Sequence, residues 1–215
     1  MNLNSIRRPL SSRNTHWARK GTQWLSTTRI QPNHISMASM VFAALAGLLF
    51  SVAPHSGALL KAFLLILAAL ACQARLLCNL FDGLLAVEAG RRTLDGFAWN
   101  EFPDRYADIL IFIGLGYGVG LPSLGWAAAC FSVLTAYTRE LGNATGAGAD
   151  FVGPMAKQHR MAVVTVAAVV GALLVAIPGI TNLLLTASLV IIVLGSVFTS
   201  LRRTKRLLNA LNRKQ

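Results

Sequence analysis

Acidic residues are scarce in this chain: Asp and Glu number eight in 215 residues, against 20 Lys and Arg, and all charged residues together make up 13%. A water-soluble domain dresses its surface with about 25% charged residues, so a soluble globule is excluded. Cysteine is also rare; Cys72, Cys78 and Cys130 lie among apolar neighbours and are too few for a disulfide framework. Internal repeats and low-complexity tracts are missing. What the chain has instead is 54% hydrophobic residues, which excludes disorder and points to one compact membrane domain. The net charge of +12 would suggest nucleic acid in a soluble protein. Here the cations fall at the two ends and between apolar runs, a pattern that suits an anionic membrane surface and argues against a nucleic-acid partner.

Windows of about 19 residues pick out six apolar runs: Ile35–Ala53, Leu59–Leu80, Tyr106–Leu121, Leu124–Tyr137, Met161–Ile177 and Ile180–Thr199. The third and fourth are short for a hydrocarbon core that takes about 20 helical residues, so they are expected to extend back to Asn100 and forward to Leu141. The fold class is therefore an all-α membrane protein with six transmembrane helices. No apolar stretch of signal-peptide type occurs in Met1–Ile30, so the amino end is expected to be retained. His16–Ile30 sets Trp17, Trp24 and Leu25 among Arg19, Lys20 and Arg29, the pattern of an interfacial amphipathic helix. Pro32-Asn33 marks the turn into the first span. The organisation read from this is a basic N-terminal segment over 1–34, a six-span domain over 35–201 and a basic tail over 202–215.

Lysine and arginine set the orientation. With both termini cytoplasmic, the inner side carries the N-terminal cations, Arg91, Arg92, Lys157, Arg160 and the cluster Arg202, Arg203, Lys205, Arg206, Arg213 and Lys214, while the outer side keeps only Lys61. This satisfies the positive-inside rule for a multi-pass protein of a cell inner membrane.

Six of the eight acids fall between positions 82 and 108: Asp82, Glu88, Asp95, Glu101, Asp104 and Asp108. Ionisable groups in or beside a span are costly unless they face a cavity, a metal or a partner. Cys72, Arg75, Asn79, Asp82 and Ala86 recur at steps of three and four and share one helix face, and Asn100, Asp104 and Asp108 stack likewise on the next span. The two stripes together would make a set of oxygen ligands for a hard divalent cation, magnesium or manganese, which keeps sites open for phosphate oxygens. Lys157 and Arg160 stand ready for a diphosphate, and metal-assisted phosphoryl transfer is the chemistry such a site suits. A second reading stays open, in which Asp82 and Asp104 form structural ion pairs with Arg75 and Arg105.

The run Asn79-Leu80-Phe81-Asp82-Gly83-Leu84-Leu85-Ala86-Val87, eight residues, then Gly96-Phe97-Ala98-Trp99-Asn100-Glu101-Phe102-Pro103-Asp104 resembles the signature of the CDP-alcohol phosphotransferases, Asp-x-x-Asp-Gly-x-x-Ala-Arg, eight residues, Gly-x-x-x-Asp-x-x-x-Asp. Asp82, Gly83, Ala86, Gly96 and Asp104 match; Asn79, Val87 and Asn100 depart. Pro32-Asn33 and the segment from Gly153 to Arg160 are also similar to family segments.

The resemblance implies that an acceptor alcohol attacks a CDP-linked lipid or alcohol donor and releases CMP, as in phospholipid biosynthesis. Family members bind two divalent ions through the four aspartates, the last being the proposed base. Carried over, Asp82 is a metal ligand and Asp104 the base and a candidate ligand, with the amide oxygens of Asn79 and Asn100 at the other two positions. Glu101 and Asp108, which the family pattern lacks, are read as further metal candidates, and Asp108 also as a catalytic one. Gly83, Ala86 and Gly96 would admit the cytidine diphosphate, and Lys157 and Arg160 would take an acceptor phosphate. Family analogy adds a homodimer to the expected partners, beside the membrane lipids.

Asn79 and Asn100 keep amide oxygens but remove two charges, which weakens divalent binding. Glu101 and Asp108 are residues that could restore them. A four-residue shift of frame would instead make Asp104 and Asp108 the two family aspartates, at the cost of Gly96. Val87 removes a cation from the family pattern. These departures motivate an alternative, a catalytically inactive relative that binds nucleotide or lipid as a membrane partner protein.

Overall fold

The computed structural model describes residues 15–88, 90 and 95–213, apart from the side chains of residues 88, 97 and 100. Its regular elements are all helical: α1 (His16–Ser26), α2 (Pro32–Val52), a 3₁₀ turn (Ala53–His55), α3 (Ala58–Glu88), α4 (Gly96–Gly118), α5 (Pro122–Ala144), α6 (Lys157–Leu173) and α7 (Ile180–Asn212). Each of the six apolar runs lies within or largely within one helix from α2 to α7. Among the described residues three helical stretches are long and apolar enough to cross a membrane: Pro32–His55, Ala58–Val87 and Ile180–Asn212. The others fall short for visible reasons. The first half of α4 holds Glu101, Asp104, Arg105 and Asp108, α5 is diluted by Ser123, Ser132, Thr135 and Thr138, and α6 has only 17 residues. That length spans about 25 Å, under the roughly 30 Å of a bilayer core.

Helices α2 to α7 close into a ring in the order α2, α3, α6, α7, α5, α4 and back to α2. The core inside is built from Phe50, Leu65, Ile111, Phe112, Leu115, Met161, Val164, Leu185, Leu189 and Ile192 with many alanines. Between apolar helices in lipid, close packing has to replace the hydrophobic driving force, and small residues allow it. A Cβ on Gly114 or Gly47 would run into the facing backbone of α2 or α4, and one on Gly116 would come within 2.7 Å of the Gly125 Cα on α5. The pairs α2–α4 and α4–α5 are thus held at backbone distance. This fixes α4, and with it the acid-bearing first half of that helix.

Pro32 occupies the first turn of α2, where its missing N–H costs nothing. At the other end of the chain α7 begins after Gly179, which takes a left-handed φ of 77°, and then runs through the basic segment expected as a tail, as far as Asn212. Helix α1 lies against α3. Its Ala18 and Thr22 are buried, Ala18 against Leu80 and Leu84, and the Trp17 ring meets Phe81 edge-on with centroids 6.1 Å apart. Trp17 and Trp24 stay exposed, as an interfacial helix requires. Residues 1–14, with Arg7, Arg8 and Arg13, and the loop cations Arg91 and Arg92 lie outside the described residues.

Candidate functional site

The polar stripes of α3 and α4 do meet, although the two helices share little direct packing and α2 is the main neighbour of both. Long side chains bridge the gap. Arg75, fully buried on α3, donates from Nη2 to Asp108 Oδ1 at 2.9 Å and to the Asp104 carbonyl at 3.1 Å. One turn on, Asn79 Nδ2 donates to Asp104 Oδ1 at 2.6 Å. One further turn on, Asp82 is buried, and its Oδ2 accepts from the Ser36 hydroxyl of α2 at 2.7 Å. The helical spacing of 75, 79 and 82 therefore does what the sequence implies, aiming three successive polar groups at one side.

The start of α6 closes the site. Lys157 Nζ donates to Asp104 Oδ2 at 2.5 Å, and Arg160 Nη2 to Asp108 Oδ2 at 2.6 Å. Arg160 is buried and also donates from Nη1 to the Met155 carbonyl at 2.9 Å and to Thr135 Oγ1 at 3.2 Å. The loop ahead of α6 is held in turn by Arg203 of α7, which donates to the Val152 carbonyl at 3.0 Å and the Thr135 carbonyl at 2.6 Å.

These bonds divide the expected ligands. Asp108 has both oxygens committed to guanidinium groups and is 1% exposed. A carboxylate held this way is an anchor between three helices rather than an open ligand or base, because each oxygen already has a charged donor. Glu101, also expected as a ligand, accepts from Arg105 and Arg139 through its Oε2. Arg139 pairs with Glu140 at 2.6 Å and lies 5.7 Å over the Phe151 ring. Ion pairs of the kind read for Asp82 and Asp104 thus form at Asp108 and Glu101, and at Asp104 with Lys157, whereas Asp82 has none among those described. Arg105 turns to Glu101, and Arg75 reaches Asp104 Oδ1 only at 3.6 Å.

Asp82 is different. Its Oδ1 is buried and has no hydrogen-bond partner, and a Cβ built on the adjoining Gly83 would meet nothing within 4 Å. A buried, undonated carboxylate oxygen suits a divalent cation, which would supply the missing charge. Among the described residues no group of three carboxylate, imidazole or thiol side chains could hold a metal ion, so a cation at Asp82 would draw its remaining oxygens from amides, water or substrate. Ala86 is half-buried on α3 and Gly96 opens α4. The side chain of Asn100 lies outside the described residues.

Ser36, Thr135 and Arg203 support the site, and nothing in the sequence singles them out for it. Ser36 is a small hydroxyl in an apolar helix, 46 residues from the aspartate it serves. Its only local signal is polarity on a face that α2 buries.

No family model matches the chain. The inner membrane protein YnbA of Escherichia coli (strain K12) is 27% identical over 141 residues; the match spans 64% of this chain and 66% of YnbA, just under two thirds of that relative. Among solved structures, Mycobacterium tuberculosis phosphatidylinositol phosphate synthase (PgsA1) with CDP-DAG bound superposes with a TM-score of 0.71 at 20% identity, over 87% of this chain and 92% of that one. The same synthase in complex with manganese and citrate gives 0.72 at 19% identity, over 88% of each chain. Its apo form gives 0.69 at 18% identity, over 88% of this chain and 95% of that one. At this level of identity the likeness establishes a shared fold.

Proposed function

We propose that this chain is an integral membrane transferase of the CDP-alcohol phosphotransferase type. It would move a phosphatidyl or other substituted phosphate group from a CDP-alcohol, such as CDP-diacylglycerol, to an acceptor alcohol. In that reaction the acceptor oxygen forms a bond to phosphorus, the bond from phosphorus to CMP breaks, and the hydroxyl proton leaves to a base. The observation that carries the reading is the buried, undonated Asp82 Oδ1 on the helix that bears the signature; the next residue, Gly83, has room for further atoms where its side chain would stand. Two likenesses support it: the fold of a synthase solved with CDP-DAG and with manganese, and a relative named as an inner membrane protein.

Within this reading Asp82 and the oxygen of Asn79 hold a divalent cation, with Asn100 as a further candidate, and Gly83, Ala86 and Gly96 give the diphosphate room. Such a cation supplies charge neutralisation at the diphosphate. Asp104 is the base for the acceptor hydroxyl, and Lys157 exchanges it for an acceptor or donor phosphate. Asp108 and Glu101 hold arginines in place. The six helices α2 to α7 span an inner membrane with both termini cytoplasmic, and α1 rests in the headgroup layer.

The test uses purified protein in lipid nanodiscs with radiolabelled CDP-diacylglycerol, manganese or magnesium, and glycerol phosphate, inositol phosphate, serine or a second lipid as acceptor. Metal-dependent CMP release that is lost in Asp82→Asn and Asp104→Asn is the expected result. Saturable CDP-lipid binding without turnover for every acceptor would favour the inactive relative, a reading that draws on Asn79 and Lys157 already satisfying Asp104.

A further inference from the structure

We infer that the site takes one divalent cation, at Asp82, because the chain's own Asn79 amide and Lys157 ammonium fill the place over Asp104 where a second would bind. The inference rests on the function proposed above only for the identity of the site. Asp104 Oδ1 accepts the Asn79 amide at 2.6 Å, and its Oδ2 accepts the Lys157 ammonium at 2.5 Å. An aspartate at position 79 would set two carboxylates against each other at that distance, and like charges so close are relieved by a cation or a shared proton between them. The amide removes the need for either by donating an N–H. Lys157, with its side chain 28% exposed, then contributes the positive charge on the other oxygen.

Charge balance gives the same answer independently. Asp82, Asp104 and Asp108 face Arg75, Arg160 and Lys157, three anions with three cations. A neutral buried cluster can accept one divalent ion when a substrate diphosphate arrives with it. Two such ions would leave an excess of positive charge in a site with little solvent to screen it. Asp82 is the member with no bonded cation: it is 4% exposed, its Oδ2 has only the Ser36 hydroxyl, and its Oδ1 has no partner.

Manganese binding to the purified chain in nanodiscs, followed by electron paramagnetic resonance and calorimetry with CDP-diacylglycerol present and no acceptor, tests the inference. The expected result is one Mn²⁺ per chain, lost in Asp82→Asn, and two per chain when Asn79→Asp is combined with Lys157→Met. Two Mn²⁺ per wild-type chain, none, or one that survives Asp82→Asn would overturn it, as would a folded double variant that still binds one. The wild-type count and the Asp82→Asn result hold whether or not the double variant folds. CMP release measured on the same preparation keeps the two conclusions apart. One Mn²⁺ with no turnover counts against the transferase and supports this inference; two with turnover does the reverse.

Discussion

Asp82 and Asp108 are buried aspartates at the same end of the helical ring, and their hydrogen bonds give them opposite liabilities. Asp108 balances Arg75 and Arg160, both buried, so Asp108→Asn leaves guanidinium charge uncompensated in a dry interior. Removing one partner of a buried pair costs about 3–5 kcal/mol, and thermal unfolding in detergent should show a large fall in midpoint. Asp82→Asn removes a charge with no bonded cation; its midpoint should hold or rise while Mn²⁺ binding disappears. Equal destabilisation by the two would refute the division of roles. Ser36→Ala tests the support beneath Asp82: loss of a group that orients a ligand lowers metal affinity by roughly 10–100-fold, which calorimetry would register with the fold intact. Asp82 as a candidate ligand is legible in the sequence, from its place beside Gly83 and its spacing from Asn79. Ser36 is not, because its bond to Asp82 depends on which faces of α2 and α3 meet, and periodicity within one helix does not contain that.

Two glycines, one on α4 and one on α3, make contrasting claims about why a side chain is missing. Gly114 of α4 abuts the Gly47 backbone of α2; Gly114→Ala must push the helices apart, with an overpacking cost of roughly 1–3 kcal/mol. Gly83 lies in the interior of α3, where an added methyl group would meet nothing within 4 Å, so Gly83→Ala should gain roughly 0.5–1 kcal/mol from helix propensity. If that glycine exists to admit a cytidine diphosphate, the stabilised variant should bind CDP-diacylglycerol more weakly. Unchanged nucleotide binding would remove Gly83 from the site. Hydropathy locates the helices because lipid-facing and core-facing residues are both apolar. For the same reason it carries no record of their order around the ring, so α3 and α4 read as a packed pair, whereas α2 is the main neighbour of each. Helix ends are equally hidden: α7 continues to Asn212, past Thr199 where hydrophobicity stops, whereas α6 stops at Leu173, short of the end of its apolar run at Ile177.

For the whole molecule, the net charge of +12 has a direction. Lys61 stands near the start of α3, while the acidic site lies toward that helix's other end. Lys157 and Arg160 join the site from the start of α6, and Arg202, Arg203, Lys205 and Arg206 lie on the last turns of α7. Helix α7, with 33 residues, measures about 50 Å against a core of about 30 Å, so its basic end projects beyond the hydrocarbon. A cation near an anionic cytoplasmic leaflet contributes about 1 kcal/mol, and several together bias the whole bundle to one orientation. Single-cysteine reporters, in a chain whose Cys72, Cys78 and Cys130 are replaced, should therefore report opposite sides. Ser56→Cys, just before α3, should react with a membrane-impermeant thiol reagent in intact spheroplasts. Lys205→Cys should react only after the membrane is opened. Labelling of both from one side would overturn the topology, and with it the placement of the Asp82 site where a cytosolic nucleotide-linked donor could reach it.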